Sequence, residues 1–145
     1  MIHTEAPRGF APRFEVVGCF LGCNVQILLL QRAALKPQSG TWGVPAGKMH
    51  EGETPTSAML RELAEESGYV ASAERLGYIR RLFVRYSDYD FVYHMFDLVV
   101  PSKPKVRLNT AEHCRFMWIT PRNALKLPLI GDLDACIRLH YRAIK

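Results

Sequence analysis

Three glutamates, Glu62, Glu65 and Glu66, fall at positions i, i+3 and i+4 of a stretch rich in alanine, leucine, methionine and glutamate. On a helix each residue turns about 100°, so the three carboxylates share a face. Met59, Leu60, Leu63 and Ala64 fall on the adjoining face, which can pack on a sheet. Three like charges side by side repel one another unless a cation lies among them. Hard, anionic oxygen ligands favour magnesium or manganese, ions that bridge protein carboxylates to substrate phosphates. Upstream, Ala46-Gly47-Lys48 can bring backbone groups and an ammonium to the same place. Glutamates on a helix are, taken alone, most often a solvated face. The chemistry this set points to is metal plus phosphate, and the wider spacing decides between the two.

That spacing runs from Gly47 to Tyr69, GKMHEGETPTSAMLRELAEESGY. Five residues separate Gly47 from Glu53, and seven separate Glu53 from Arg61-Glu62-Leu63-Ala64-Glu65-Glu66-Ser67-Gly68-Tyr69. Nine positions are fixed over 23 residues, which chance does not readily supply. The segment resembles the Nudix box: G, five residues, E, seven residues, then R-E-U-x-E-E-x-G-U, with U a bulky aliphatic. Every position matches except the last, where Tyr69 stands and Val70 is expected to fill part of the aliphatic role. The lead-in Trp42-Gly43-Val44-Pro45-Ala46-Gly47 is similar to the family's W-x-x-P-G-G, with Ala46 in place of the first glycine.

The resemblance implies an α/β fold, an α/β/α sandwich with a mixed sheet. It implies that Glu62, Glu65 and Glu66 serve as metal ligands and base, that the Ala46 carbonyl is a backbone ligand, and that Arg61 and Glu53 orient the glutamates. Lys48 follows the box glycine, where it can touch substrate phosphate or remain a solvated loop lysine. Several members add a further acid from a downstream loop. Glu112, in Asn109-Thr110-Ala111-Glu112-His113, is the candidate for both a catalytic and a metal-ligating role, against a plain surface glutamate. His113 reads as a bystander. The implied reaction is magnesium-dependent hydrolysis of a nucleoside diphosphate linked to another group, with manganese as a substitute. Water attacks phosphorus in line and a glutamate takes its proton. Which glutamate is the base stays open.

For the substrate, the small single domain favours a nucleoside triphosphate, cleaved in the manner of the MutT-like branch. The alternative is a dinucleoside polyphosphate or a nucleotide sugar, with Tyr86 lying about where the diadenosine branch has a tyrosine. The absence of proline between Gly68 and Val100 counts modestly against the ADP-ribose branch. A third reading, a nucleotide-binding module without catalysis, conflicts with the retention of every box acid.

The elements that must position these residues follow from local signals. Thr54 as N-cap, Pro55 at the first turn and Gly68 at the end predict a helix between them. Phe14 to Leu21 and Val25 to Leu30 read as strands of a hairpin turning at Gly22-Cys23-Asn24. Leu76 to Tyr86 and Phe91 to Val100 read as a second hairpin, and Arg115 to Ile119 as a last strand. Thr120-Pro121 opens a short helix, and Asp132 to Ile144 an amphipathic terminal one. Residues 1–13 read as an irregular arm before one domain, 14–145.

The net charge of +5 suits an anionic ligand or a plain basic surface. With no dense basic run, no specific nucleic-acid partner is expected; a homodimer is compatible with the chain. Cys19, Cys23, Cys114 and Cys136 read as four buried, reduced thiols, not as a disulfide framework or zinc site. The N-terminus does not read as a signal peptide, and the longest apolar run, such as Ile27 to Leu30, is four residues. That is far short of a membrane span, so the expected compartment is the cytoplasm.

Overall fold

Period-two alternation in two central strands decides the architecture of the computed structural model, which describes residues 1–142. These strands are β2 (Pro12–Cys23) and β3 (Gln26–Arg32). Cys19, Leu21, Leu28 and Leu30 point to one face, where they meet Ala58, Met59 and Leu63 of helix α1 (Pro55–Ser67). Phe20, Ile27 and Leu29 point to the other face. There they meet Ala124 of α2 (Pro121–Ala124) and Leu133, Cys136 and Ile137 of α3 (Leu133–His140). The sheet is buried on both sides, and the fold is the α/β/α sandwich the box implies.

The remaining strands are β1 (Ile2–His3), β4 (Trp42–Gly43), β5 (Ala46–Lys48), β6 (Gly77–Arg85), β7 (Asp90–Val99) and β8 (His113–Ile119). They order as β1-β6-β7-β2-β3-β4, with β5 also pairing β2 and β8 also pairing β3. The expected β2–β3 hairpin is short, pairing only Gly22 with Ile27 and Cys23 with Gln26. Beyond that turn β2 runs parallel to β7 and antiparallel to β5, while β3 pairs with β8. The two strands therefore part, and a cleft opens between their far ends.

Helix α1 is capped at both ends by local chemistry. The Thr54 hydroxyl accepts from the Ser57 N–H, and the Ser57 hydroxyl accepts from the Thr54 N–H, a reciprocal capping box. Gly68 closes the helix at φ 78°, where a side chain would be strained and would also press on Arg107.

Several expectations are corrected. The first thirteen residues are not wholly irregular: Ile2 and His3 pair with Val84 and Phe83, and β2 already begins at Pro12. Val70 is 85% exposed and cannot fill the aliphatic position; Tyr69 itself packs on the α1-side core. Ala64 is exposed, whereas Glu62 and Glu66 are buried beside Met59 and Leu63, so the apolar and acidic faces overlap. Cys19, Cys23 and Cys136 are buried, but Cys114 is exposed. The terminal helix ends at His140, and Ile144 lies outside the described residues.

The arm is tied down by Asp90, whose carboxylate accepts from the Ala11 N–H at 2.8 Å and from the Arg85 guanidinium at 2.9 and 3.0 Å. Arg85 first, then Ala11, lowers the Asp90 carboxyl to about 2. A group depressed in the fold stabilises above its unfolded value, about 3.9, and loses that contribution as pH falls through the folded one. Asp90→Asn is thus expected to lower Tm at pH 6, with the deficit shrinking as pH is taken from 4 to 2. Thermal melts across that range check it; a constant deficit would mean the charge plays no part.

Candidate functional site

Strand β5 lies against α1 so closely that the two share one site. Gly47 presses on the Glu62 carboxyl, and a Cβ at that position would overlap it. The need for close backbone approach explains a glycine there. One residue earlier, the Ala46 N–H donates to Glu66 at 2.9 Å. Arg61 organises the acids from the helix side. Its Nε and Nη2 grip Glu53 at 2.8 and 2.9 Å, and its Nη1 reaches Glu62 at 2.8 Å and Glu65 at 3.2 Å. Its Nη2 also donates to the Lys48 carbonyl at 3.1 Å, so one guanidinium joins loop, strand and helix. Glu53 accepts the His50 N–H at 2.6 Å as well. Arg61 first, then that backbone bond, holds Glu53 down to about 2. The structure thus brings Arg61 and Glu53 together beside the helix acids.

The acids differ in environment. Glu62 and Glu66 are 7% and 6% exposed, while the Glu65 side chain is 52% exposed and faces outward. Burial raises the Glu66 carboxyl well above its usual range, with the charges of Glu62 and Glu112 adding to the effect. Burial raises Glu62 also, opposed by Arg61. Two buried carboxylates forced together are stabilised by a bound cation. Their hard oxygens, with Glu65 beside them, fit a divalent ion such as magnesium or manganese. Among the described residues no three carboxylate, histidine or cysteine side chains form a ready-made cage. Further ligands would come from backbone, water or substrate phosphate, the usual habit of magnesium.

Glu112 sits in the loop before β8, with its carboxylate 3.2 Å from Lys36 Nζ. Its charge is among those that raise the Glu66 carboxyl. Glu112→Gln is expected to lower kcat at least tenfold, about 1.4 kcal/mol of transition-state stabilisation, with little change in KM. Steady-state kinetics check this, and wild-type turnover would reduce Glu112 to a partner of Lys36.

The cleft itself is a cavity of about 290 Å³. Ala46, Gly47 and Lys48 of β5 line it, and so do four aromatic residues, Phe14, Tyr86, Tyr89 and Phe91. The rings hold one another, with Phe14 stacked on Phe91 at 5.3 Å and Tyr86 edge-on to Phe91 at 5.4 Å. Lys48 Nζ lies 4.2 Å from the Phe14 ring centroid, where the strand and the aromatic residues meet. His113, expected to be a bystander, lines this cavity, is 4% exposed, and keeps an Nδ1 without a hydrogen-bond partner among the described residues. Of the aromatic lining residues only Tyr86 carries a site signal in the sequence; Phe14, Tyr89 and Phe91 carry none, and neither do Arg32, Gln38 and Asp132. The aromatic signal was present in Tyr86-Ser87-Asp88-Tyr89-Asp90-Phe91, but as a hairpin turn it carried no hint of a pocket.

A family model, NUDIX domain, matches residues 12–139. The chain is similar to the CTP pyrophosphohydrolase of Escherichia coli (strain K12), at 33% identity over 122 residues, covering 79% of this chain and 82% of the relative. It is similar to the ADP-ribose pyrophosphatase of Bacillus subtilis (strain 168), at 35% over 133 residues, 86% of this chain and 71% of that one. In fold it resembles a bifunctional NMN adenylyltransferase/ADP ribose pyrophosphatase from Francisella tularensis, complexed with AMP and a manganese ion. That match has a TM-score of 0.75 and 24% identity, and covers 94% of this chain and 43% of that one.

Proposed function

On the footing that this chain belongs to the Nudix hydrolase family, we propose that it cleaves the diphosphate linkage of a nucleoside triphosphate with magnesium, in the manner of a pyrophosphohydrolase. The observation that carries this reading is the adjacency of two unlike surfaces. Aromatic residues suited to stacking a base line the same cavity as the strand whose backbone touches Glu62 and Glu66. A nucleotide lying in the cleft would set its base on Tyr86 and Phe91 and its phosphates over β5 and α1.

Glu62, Glu65, Glu66 and the Ala46 carbonyl would hold magnesium, or manganese in its place, with Glu112 adding an oxygen from its loop. The ion supplies neutralisation of the diphosphate oxygens and a more acidic water. Arg61 keeps Glu53 and the helix acids in position, so the reacting groups meet at little entropic cost. Lys48 meets a substrate phosphate at the cavity mouth, and a carboxylate of the cluster takes the proton of the attacking water. The similarity to a CTP pyrophosphohydrolase supports the triphosphate.

A second reading, a dinucleotide such as ADP-ribose or a dinucleoside polyphosphate, is favoured by the similarity to an ADP-ribose pyrophosphatase and by Tyr86 in the cavity wall. The retained acids and the intact Arg61 network speak against a binding module without catalysis. Chromatography of products from a panel of nucleoside triphosphates, ADP-ribose and dinucleoside polyphosphates, each with magnesium, separates these readings. Pyrophosphate and a nucleoside monophosphate from a triphosphate are expected; turnover confined to the dinucleotides would replace the first reading by the second.

A further inference from the structure

The sheet ends differently on its two sides. On one side the outer strand is β6, with the short β1 laid against Phe83 and Val84. A register shift between Tyr78 and Arg80 distorts β6, and Arg80 and Arg81 put charge along it. A covering segment, a bulge and charged side chains are the devices that keep an edge strand from pairing with another molecule. On the other side the outer strand is β8, which pairs with β3 alone. Among the described residues no backbone group bonds to its outer edge.

This second edge is unguarded over most of its length. Its one irregularity is at the start, where Cys114 is the extra residue between the pairs Arg32–His113 and Gln31–Arg115. From Arg115 to Ile119 the register is regular, and the run Arg-Phe-Met-Trp-Ile holds no proline, glycine or carboxylate. Arg115 carries the single charge of that run, and its guanidinium lies over the Trp42 ring of its own chain, 5.5 Å from the centroid. Phe116 is 43% exposed. Trp118, two residues on and therefore on the same face, is only partly covered by the α1-side core. An open apolar edge of this kind is a template for a further strand.

We propose that the further strand is β8 of a second copy of this chain, antiparallel to the first about a two-fold axis at Met117. Self-complementarity singles out a copy over an unrelated peptide. Centred on Met117, the regular run pairs with itself along its whole length. Arg115 then stands opposite Ile119 of the second copy, so no like charges face each other. Each exposed Phe116 stands opposite a Trp118, which gives two cross-strand aromatic pairs, among the more stabilising pairs in a sheet. The contact is isologous and closes at two copies. The paired strand begins at His113, which lines the cavity, directly after the loop that carries Glu112, so pairing steadies one end of that loop.

The test is the mass in solution by light scattering, in the presence of a thiol reductant. The wild type is expected at twice the 16.5 kDa of the chain at micromolar concentration and above. Phe116→Lys installs the kind of charge that guards other edges, and its apolar stem can lie where the ring lay. It should weaken association at least tenfold with the far-UV circular dichroism unchanged. Met117→Cys, made together with Cys114→Ser, should cross-link to its own copy with a short bifunctional maleimide. Val25→Cys in the same background, on the exposed β2–β3 turn, should not. That cross-link decides the matter if Phe116→Lys fails to fold. A wild-type monomer throughout, or a dimer that reductant abolishes, would overturn the proposal. A dimer that persists in folded Phe116→Lys without the Met117→Cys cross-link would overturn it too, since another surface would then join the copies.

Discussion

Glu66→Gln is expected to reduce kcat by about a hundredfold or more, the scale seen when one preorganised electrostatic group is removed from an active site. The substitution isolates charge from shape. Glutamine keeps the length and the helix propensity of glutamate, and its carbonyl can still accept the Ala46 N–H that Glu66 takes at 2.9 Å. What it cannot do is bind a divalent ion as an anion. Glu66 is 6% exposed and feels the charge of Glu62, so its own charge is costly in the ligand-free fold. The Tm of Glu66→Gln should therefore equal or exceed that of the wild type while turnover collapses. Loss of activity accompanied by unfolding would argue for a structural carboxylate. Near wild-type turnover would return the helix to the status of a solvated acidic face. Glu65→Gln should also lower kcat strongly; its exposure makes a rise in Tm less pronounced.

Arg61→Ala is expected to cost about a hundredfold in kcat through misplacement of the acids, with KM little changed. The guanidinium binds Glu53, Glu62, Glu65 and the Lys48 carbonyl together, and no neighbouring side chain can replace it in all four contacts. Its removal leaves Glu62 buried beside Glu66 with no cation paired to it, and frees the loop that Glu53 anchors through the His50 N–H. Unlike the glutamine variant at position 66, this one should melt several degrees lower. Arg61→Lys should restore little, because a point charge cannot reproduce the two-pronged grip on Glu53. A variant whose KM rises while kcat holds would make Arg61 a substrate ligand and contradict the positioning role.

These two variants test the part of the site that was legible in the sequence. Helix α1 carries its own start, stop and face signals between Thr54 and Gly68, and all of them act locally. The Gly47 and Glu53 spacings add contacts to neighbouring elements, yet they lie on the same continuous segment. The cavity is a different case. Phe14 comes from β2, Tyr86 and Tyr89 from the turn after β6, Gln38 from the loop after β3, His113 from β8 and Asp132 from the entry to α3. No spacing rule links them. They meet because β2 runs parallel to β7 on one side and pairs with β5 on the other, and a parallel pairing across more than seventy residues is invisible to local alternation. The same limit explains the smaller misses. The first strand is not legible because two residues carry no periodicity, and the exposure of Val70 is not legible because it depends on where the chain turns after Gly68.

The central claim is that the acids of α1 act through a divalent ion on a diphosphate. The most direct measurement is turnover of the best substrate of the nucleotide panel by one preparation under three conditions: with magnesium, after exhaustive chelation, and after magnesium is restored. Activity should vanish on chelation and return with magnesium. Manganese should substitute and calcium should do so poorly, because calcium tolerates a looser ligand geometry. Full activity in the chelated enzyme would contradict the account.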